Sequence, residues 1–234
     1  MTISIIIPTY NESARIEKLI TFLIRNSDAT ITQIIISDGG STDNTLTLAE
    51  KAGAIAVLSP GKGRANQMNY GAAHATGDLL YFVHADVYPP ASFIADITNA
   101  VNNCFDLGRY RMRFDTKKWW LQINAFFTRF DFFVCYGGDQ TLFITRKLFE
   151  ETGGFKKNML IMEDFEFTNR ARQTGKYKII NKGALISDRK YDANSWLKVQ
   201  LTHSKIVSMY KKGATQEQMI ETYKKMLNYR KNSF

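Results

Sequence analysis

Short runs of β-branched residues alternate along the first third of this chain with stretches whose apolar positions recur every three or four residues. Ile3 to Ile7 is an apolar run ended by Pro8 and reads as a buried strand. Ile16, Leu19, Ile20 and Leu23 follow at helical spacing. Gln33 to Ser37 repeats the strand pattern through Ile34, Ile35 and Ile36. Thr45, Leu46, Leu48 and Ala49 predict a second helix stopped near Gly53, and Ile55 to Leu58 a third strand. An Ala-rich helix is expected from about Arg64, with Gly77 as its C′ glycine, and then a strand over Leu79 to Val83. Strand–helix alternation with short connections predicts an α/β fold with a mainly parallel, doubly wound sheet.

The second half is less regular. Tyr110, Met112 and Phe114 alternate with Arg109, Arg111 and Arg113, the period of a half-exposed strand with a basic face. Trp119, Ile123, Phe126, Phe127, Phe130 and Val134 follow helical spacing, and Thr141 to Thr145 is another short strand. The aromatic stripe suits a core, a contact with a second copy, or a membrane-surface helix flanked by Lys117 and Lys118. Thr215 and Gln218 form a capping-box pattern for a last amphipathic helix. The expected division is a catalytic domain over 1–190, with a donor half to about 90 and an acceptor half beyond it. A basic helical extension over 191–234 is expected to pack on the same domain.

Composition narrows the class. With 44% hydrophobic and 23% charged residues, the chain is balanced for a globular core rather than for disorder. The start lacks the basic and small-residue features of a signal peptide, and no apolar run is long enough for a membrane span. Cys104 and Cys135 lack metal-type spacing and read as reduced thiols of a cytoplasmic protein. The net charge of +9 is uneven: from Lys198 onward eight basic residues face two acids. Such a tail reads first as a solvated helix face, with weak peripheral association at the inner face of a membrane as the lesser reading. No nucleic-acid partner is expected.

Ligands of open α/β sheets bind beyond the carboxyl ends of the strands. Four successive predicted strands end there in polar residues: Pro8-Thr9-Tyr10-Asn11-Glu12, Asp38-Gly39-Gly40-Ser41-Thr42-Asp43, Gly61-Lys62-Gly63-Arg64-Ala65-Asn66-Gln67 and His84-Ala85-Asp86. Caps and turns explain any one of these segments, but not their recurrence at one edge. The chemistry they suggest is recognition of a nucleoside diphosphate. Asp38 is suited to accept from a base N–H, and Tyr10 and Glu12 to hold base or ribose. Lys62 and Arg64, beside permissive glycines and a helix start, are suited to phosphate oxygens. Asp86 is suited to hold Mg²⁺ or Mn²⁺ against a diphosphate.

These segments, with Gly77-Asp78, Gly137-Gly138-Asp139-Gln140, Gly153-Gly154-Phe155 and Met162-Glu163-Asp164, resemble the signatures of family-two glycosyltransferases. The pattern is most similar to the small bacterial branch of arsenosugar-biosynthesis glycosyltransferases. The resemblance implies the GT-A fold and inverting transfer of a sugar from a nucleoside-diphosphate sugar to an acceptor hydroxyl, with Mg or Mn as cofactor. It implies donor contacts at Pro8, Thr9, Tyr10, Glu12, Asp38, Gly39, Ser41, Lys62, Gly63, Arg64, Gln67, His84 and Ala85, and the metal ligand at Asp86. Asp164 is implied as the base, with Glu163 as its alternative. Gly138, Asp139 and Gln140 are implied on the acceptor or sugar side, and a small molecule or a lipid-linked hydroxyl fits as acceptor.

One departure stands out: where the family usually carries a carboxylate, this chain has His84. A histidine there suits ribose hydrogen bonding better than metal binding. Two rivals follow. A nucleotidyltransferase making nucleotide-sugars would need a glycine-rich loop directly after the first strand, where this chain has Pro8-Thr9-Tyr10-Asn11. A catalytically degenerate sugar-nucleotide-binding protein would not need both Asp86 and Asp164. A homodimer is compatible with all three readings.

Overall fold

A computed structural model of the chain describes residues 1–114, 116, 118–131 and 141–227. The predicted alternation is present: β1 (Ile3–Thr9), α1 (Ile16–Arg25), β2 (Ile31–Asp38), α2 (Thr45–Lys51), β3 (Ile55–Leu58), α3 (Arg64–His74) and β4 (Leu79–Phe82). Beyond it lie β5 (Val87–Tyr88), α4 (Phe93–Asn102), β6 (Leu107–Arg113), α5 (Trp119–Phe127), β7 (Leu142–Thr145), α6 (Arg146–Glu151), α7 (Glu163–Ala171) and β8 (Tyr177–Ile186). A 3-10 turn at Arg189–Tyr191 leads to α8 (Trp196–Lys211) and α9 (Gln216–Met226).

The pleat of β1 explains how the layers assemble. Ile3, Ile5 and Ile7 point to one side and pack with Ile16, Leu19, Ile20 and Leu23 of α1. Ile6 points to the other, against Ala65, Met68 and Ala72 of α3. These four isoleucines have no exposed surface, and burying each contributes about 1.5–3 kcal/mol. On that second face α3 lies close to the sheet, because a Cβ on Gly71 would fall 2.5 Å from Ile6 Cγ2.

The sheet runs β3-β2-β1-β4-β7-β6-β8-β5. Its first four strands are parallel, so their carboxyl ends share one edge as expected. The expectation of a mainly parallel sheet needs correcting beyond β4. There β4–β7, β6–β7 and β5–β8 are antiparallel, and only β6–β8 is parallel. Residue periodicity reports a strand but not its direction, and β7 takes the open edge of β4 in the opposite sense.

Three local expectations also change. Helix α3 ends at His74 with Ala75 as its cap, so Gly77 is not its C′ glycine. Gly77 is needed instead because a Cβ there would meet the Ser4 backbone nitrogen at 2.6 Å. The expected basic face is incomplete: Arg113 is exposed and Arg111 half-buried, but Arg109 is 3% exposed and donates to the carbonyls of Thr128 at 2.8 Å and Phe130 at 3.3 Å. The segment that follows α5 covers the Arg109 side chain. The aromatic helix is α5, and Val134 and Cys135 fall outside the described residues.

The last two helices enclose a third apolar cluster. Val199 and Ile206 of α8, with Met219 and Tyr223 of α9, pack on Met159, Ile161 and Met162. The predicted capping box is present, with Gln218 N donating to Thr215 Oγ1 and Thr215 N to Gln218 Oε1. The extension thus packs on the segment that immediately precedes α7.

Candidate active site

The donor edge is built first from the loops after β1 and β2. Asp38 is fully buried, and its Oδ1 accepts from the backbone nitrogens of Gly40 at 2.9 Å and Ser41 at 2.6 Å. Its Oδ2 accepts from Thr9 Oγ1 at 2.9 Å and Ser41 Oγ at 2.6 Å. Asp38 therefore folds the loop in this state; its contacts hold Thr9 and Ser41 in place. Gln67 also braces the frame. Its Nε2 donates to the carbonyls of Thr9 at 2.5 Å and Ser37 at 3.0 Å, tying α3 to two strand ends. Gly39 is confined by that amide, since a Cβ there would come within 2.9 Å of Gln67 Nε2.

Asn11 has φ of 54°, and its side chain accepts from Thr42 N at 2.8 Å, locking the first loop to the second. Asp43 adds a further lock by accepting from Ser13 N at 3.2 Å and from Thr45 N at 3.0 Å. Burial pushes the Asp43 carboxyl upward, but the Thr45 and Ser13 hydrogen bonds outweigh it and hold the group below the usual aspartate value. Pro8 and Ala85 are buried beside this frame, while Tyr10 is partly exposed and Lys62, in the loop before α3, is exposed.

The reactive groups converge on this frame from four directions. His84 and Asp86 follow β4, and Glu12 follows β1. Glu163 and Asp164 open α7, whose N-terminal dipole favours carboxylates. His84 Nε2 lies 3.9 Å from Asp164 Oδ2. Arg64 Nε, at the start of α3, lies 2.7 Å from Glu163 Oε1. Gly63 has φ of 95°, which turns the chain into α3 at that point. Met162 has φ of 67°, a left-handed conformation for a non-glycine residue just before Glu163. Such conformations persist only where surrounding packing imposes them, and here the third apolar cluster buries Met162.

The family model described as Glycosyl transferase family 2 matches residues 4–186. The chain belongs to this family. It is similar to glucosyl-3-phosphoglycerate synthase of Mycobacterium tuberculosis, with 33% identity over 99 residues, covering 38% of this chain and 30% of the relative. It is also similar to protein RfbJ of Shigella flexneri, with 32% identity over 106 residues, covering 45% of this chain and 81% of the relative. The matches thus span less than a third of the mycobacterial synthase but most of RfbJ. Among solved structures, the Mycobacterium tuberculosis synthase in complex with Mn²⁺, UDP-glucose and phosphoglyceric acid superposes with a TM-score of 0.64 at 17% identity. That superposition covers 91% of this chain and 80% of the other. A mannosyltransferase of Pyrobaculum calidifontis in complex with GDP-mannose and Mn²⁺ gives 0.64 at 20% identity, covering 89% of this chain and 64% of the other. At these identities the superpositions establish a shared fold.

Two parts of this glycosyltransferase's site were weakly or not legible in its sequence. Arg189, after β8, places its guanidinium 3.2 Å from Asp86 Oδ2 and 3.7 Å from Glu12 Oε2. Gln216 carried no signal at all, although it follows the capping residue Thr215. Its Oε1 accepts from Leu160 N at 2.9 Å and Ile161 N at 3.0 Å, fixing the backbone that leads to Asp164. The sequence-based acceptor contacts Gly138, Asp139 and Gln140 lie outside the described residues.

The neighbourhood of Asp86 also bears on a metal. Among the described residues no three His, Cys, Asp or Glu side chains group to hold an ion by themselves. Mg²⁺ and similar hard cations need only one or two carboxylates when diphosphate oxygens and water complete the shell. Asp86 and Glu12 already share one cation, the Arg189 guanidinium, so the donor set fits.

Proposed function

We propose that this family-two glycosyltransferase transfers a sugar, with inversion, from a nucleoside-diphosphate sugar to an acceptor hydroxyl. The observation that carries the reading is the meeting of His84 and Asp164 beside a donor edge formed by three parallel strand ends. In this reading Asp164 Oδ2 takes the proton of the acceptor hydroxyl as that oxygen attacks the anomeric carbon from the face opposite the leaving group. The bond from that carbon to the diphosphate oxygen breaks, and its electron pair leaves with the nucleoside diphosphate. Arg64, Lys62 and Arg189 lie on elements around the donor edge and balance the charge that develops there. Mg²⁺ or Mn²⁺, bound at Asp86, would neutralise the diphosphate; the Mn²⁺ complexes of similarly folded transferases support that choice.

Tyr10 and Glu12 serve the nucleoside, while Asp38 and Gln67 serve it by shaping the loops that meet it. Gly138, Asp139 and Gln140 are proposed on the acceptor side. The motif pattern favours the arsenosugar-biosynthesis branch, a cytoplasmic protein, and a catalytic domain over 1–190 with its extension over 191–234. A nucleotidyltransferase is disfavoured because no glycine-rich loop follows β1.

A thermal-shift panel of UDP, GDP, CDP and dTDP sugars, each with and without Mn²⁺, tests the donor site. A native-state ligand at a hundred times its Kd stabilises by about 2.7 kcal/mol. Stabilisation by one nucleotide series is expected; none by any member sinks the reading.

A further inference from the structure

Helix α5 turns an apolar side outward. Trp119 is 67% exposed, Ile123 41%, Phe126 47% and Phe127 50%, and their spacing puts all four on one side of the helix. The helix itself contains no charged residue. It meets the start of α8, where Trp196 Nε1 donates to Asn124 Oδ1 at 3.3 Å. From that junction α8 exposes Leu197 at 59% and Leu201 at 56%. α8 also carries Lys198, Lys205 and Lys211 with no carboxylate along its length. The acids nearest α5 are already matched: Asp188 and Asp192 by Lys118 at 3.2 and 2.7 Å, and Asp131 by Arg172. Arg129 stacks 3.8 Å over the Phe126 ring, adding a cation at the aromatic edge.

We infer that α5 and the start of α8 form a docking surface for an anionic lipid membrane, lying on it rather than crossing it. An exposed aromatic and aliphatic centre with a lysine border is what an acyl boundary below anionic headgroups accommodates. Tryptophan favours that interfacial depth, with its ring in the apolar layer and its N–H toward water. A second copy of the chain is the weaker occupant, because a two-fold contact gathers the lysines of both α8 helices while neither α5 nor α8 offers a carboxylate to pair them. No helix among the described residues is long and apolar enough to cross a membrane, which agrees with surface attachment. The surface is also tied to the donor cleft. Asn124 Nδ2 donates to Tyr191 Oη at 3.2 Å, in the turn that begins with Arg189.

Flotation of the full chain with vesicles tests the inference. At low salt the protein is expected to float with phosphatidylcholine–phosphatidylglycerol vesicles and not with phosphatidylcholine alone. All three tryptophans, Trp119, Trp120 and Trp196, lie on α5 or at the start of α8, so their emission should shift to the blue on binding. Paired Trp119→Ser and Phe126→Ser changes should abolish flotation. Paired Lys198→Glu and Lys205→Glu changes should lower the anionic-vesicle partition by roughly twenty-fold or more, from about fivefold per lysine near such a surface. Far-ultraviolet circular dichroism should be unchanged in both, since all four side chains are exposed. No flotation with anionic vesicles, or flotation that both paired variants retain, overturns the inference. So does a concentration-dependent dimer that the Trp119→Ser and Phe126→Ser pair dissolves while vesicles are ignored. The nucleotide thermal shift is independent of these outcomes, so failure here leaves the donor-site reading standing.

Discussion

His84 and Asp164 come from opposite halves of the chain, yet His84 Nε2 faces Asp164 Oδ2 across 3.9 Å. Both are largely buried, and the histidine stands where the family pattern usually has an acid. A second carboxylate there would repel Asp164, whereas an imidazole adds no negative charge beside it. Asp164→Asn should lower kcat by about 10²–10⁴-fold while the nucleotide-induced thermal shift persists. His84→Ala should lower kcat by about 10–100-fold through loss of orientation, again with nucleotide binding kept. Unchanged turnover in Asp164→Asn would move the base elsewhere.

Arg189 bridges Glu12 and Asp86. Arg189→Ala leaves two partly buried carboxylates facing one another, which should cost about 1–3 kcal/mol of stability. The same change removes a competitor for cations. Mn²⁺ alone should therefore raise the melting temperature of the variant more than that of the parent chain. Equal shifts would show that Arg189 and the metal do not share the Asp86 position.

Gln216 accepts two backbone hydrogen bonds just ahead of the turn into α7. Gln216→Leu strands both donors, at about 1–3 kcal/mol each if they stay buried. Steady-state kinetics should show a lower kcat with little change in donor KM, because the turn leads to Asp164 and not to the nucleoside loops. Gln216→Glu keeps an acceptor oxygen and should restore most of the lost rate. A purely structural role would lower the stability of Gln216→Leu without altering kcat in the folded fraction.

Glu166 supplies a pH-dependent brace in α7. Burial pushes its carboxyl upward, but hydrogen bonds from Arg170 and Lys156 prevail and hold it below the ordinary 4.5. Arg170 Nε and Lys156 Nζ each lie 2.9 Å from Oε1. A folded-state value below the unfolded one gives stability that is complete above the unfolded value and is lost as pH falls through the folded one. Melting curves of the parent chain and Glu166→Gln should differ at neutral pH and converge only in acid, once the pH has fallen below the lowered Glu166 value. A gap that persists in acid would assign the effect to packing.

Much of the donor half is legible because its information is local. The isoleucines of β1 and β2, the spacing in α1 and the glycines after β2 and β3 fix elements over a few residues. Parallel neighbours joined by short helices leave one arrangement in which all carboxyl ends share an edge, so Thr9, Asp38 and Asp86 could be gathered from the sequence. The roles of Asp38 and Gln67 within that edge were not legible, because a loop-forming hydrogen bond and a ligand contact demand the same residue types.

What only the tertiary structure decided is set by contacts between distant segments. The antiparallel entry of β7 depends on which edge of β4 is left open, and the burial of Arg109 on the segment after α5 reaching its side chain. Arg189 reaches Glu12 and Asp86, and Gln216 reaches Leu160 and Ile161, only once the chain has folded back on itself. Periodicity marked the α5 aromatics as a stripe, but a stripe has the same period whether it faces a core or solvent; the packing around the helix determined that it faces out. The sequence by itself thus determined the elements and the chemistry at their ends. Long-range packing decided which of those groups meet, because that depends on loop closure and edge pairing rather than on any local pattern.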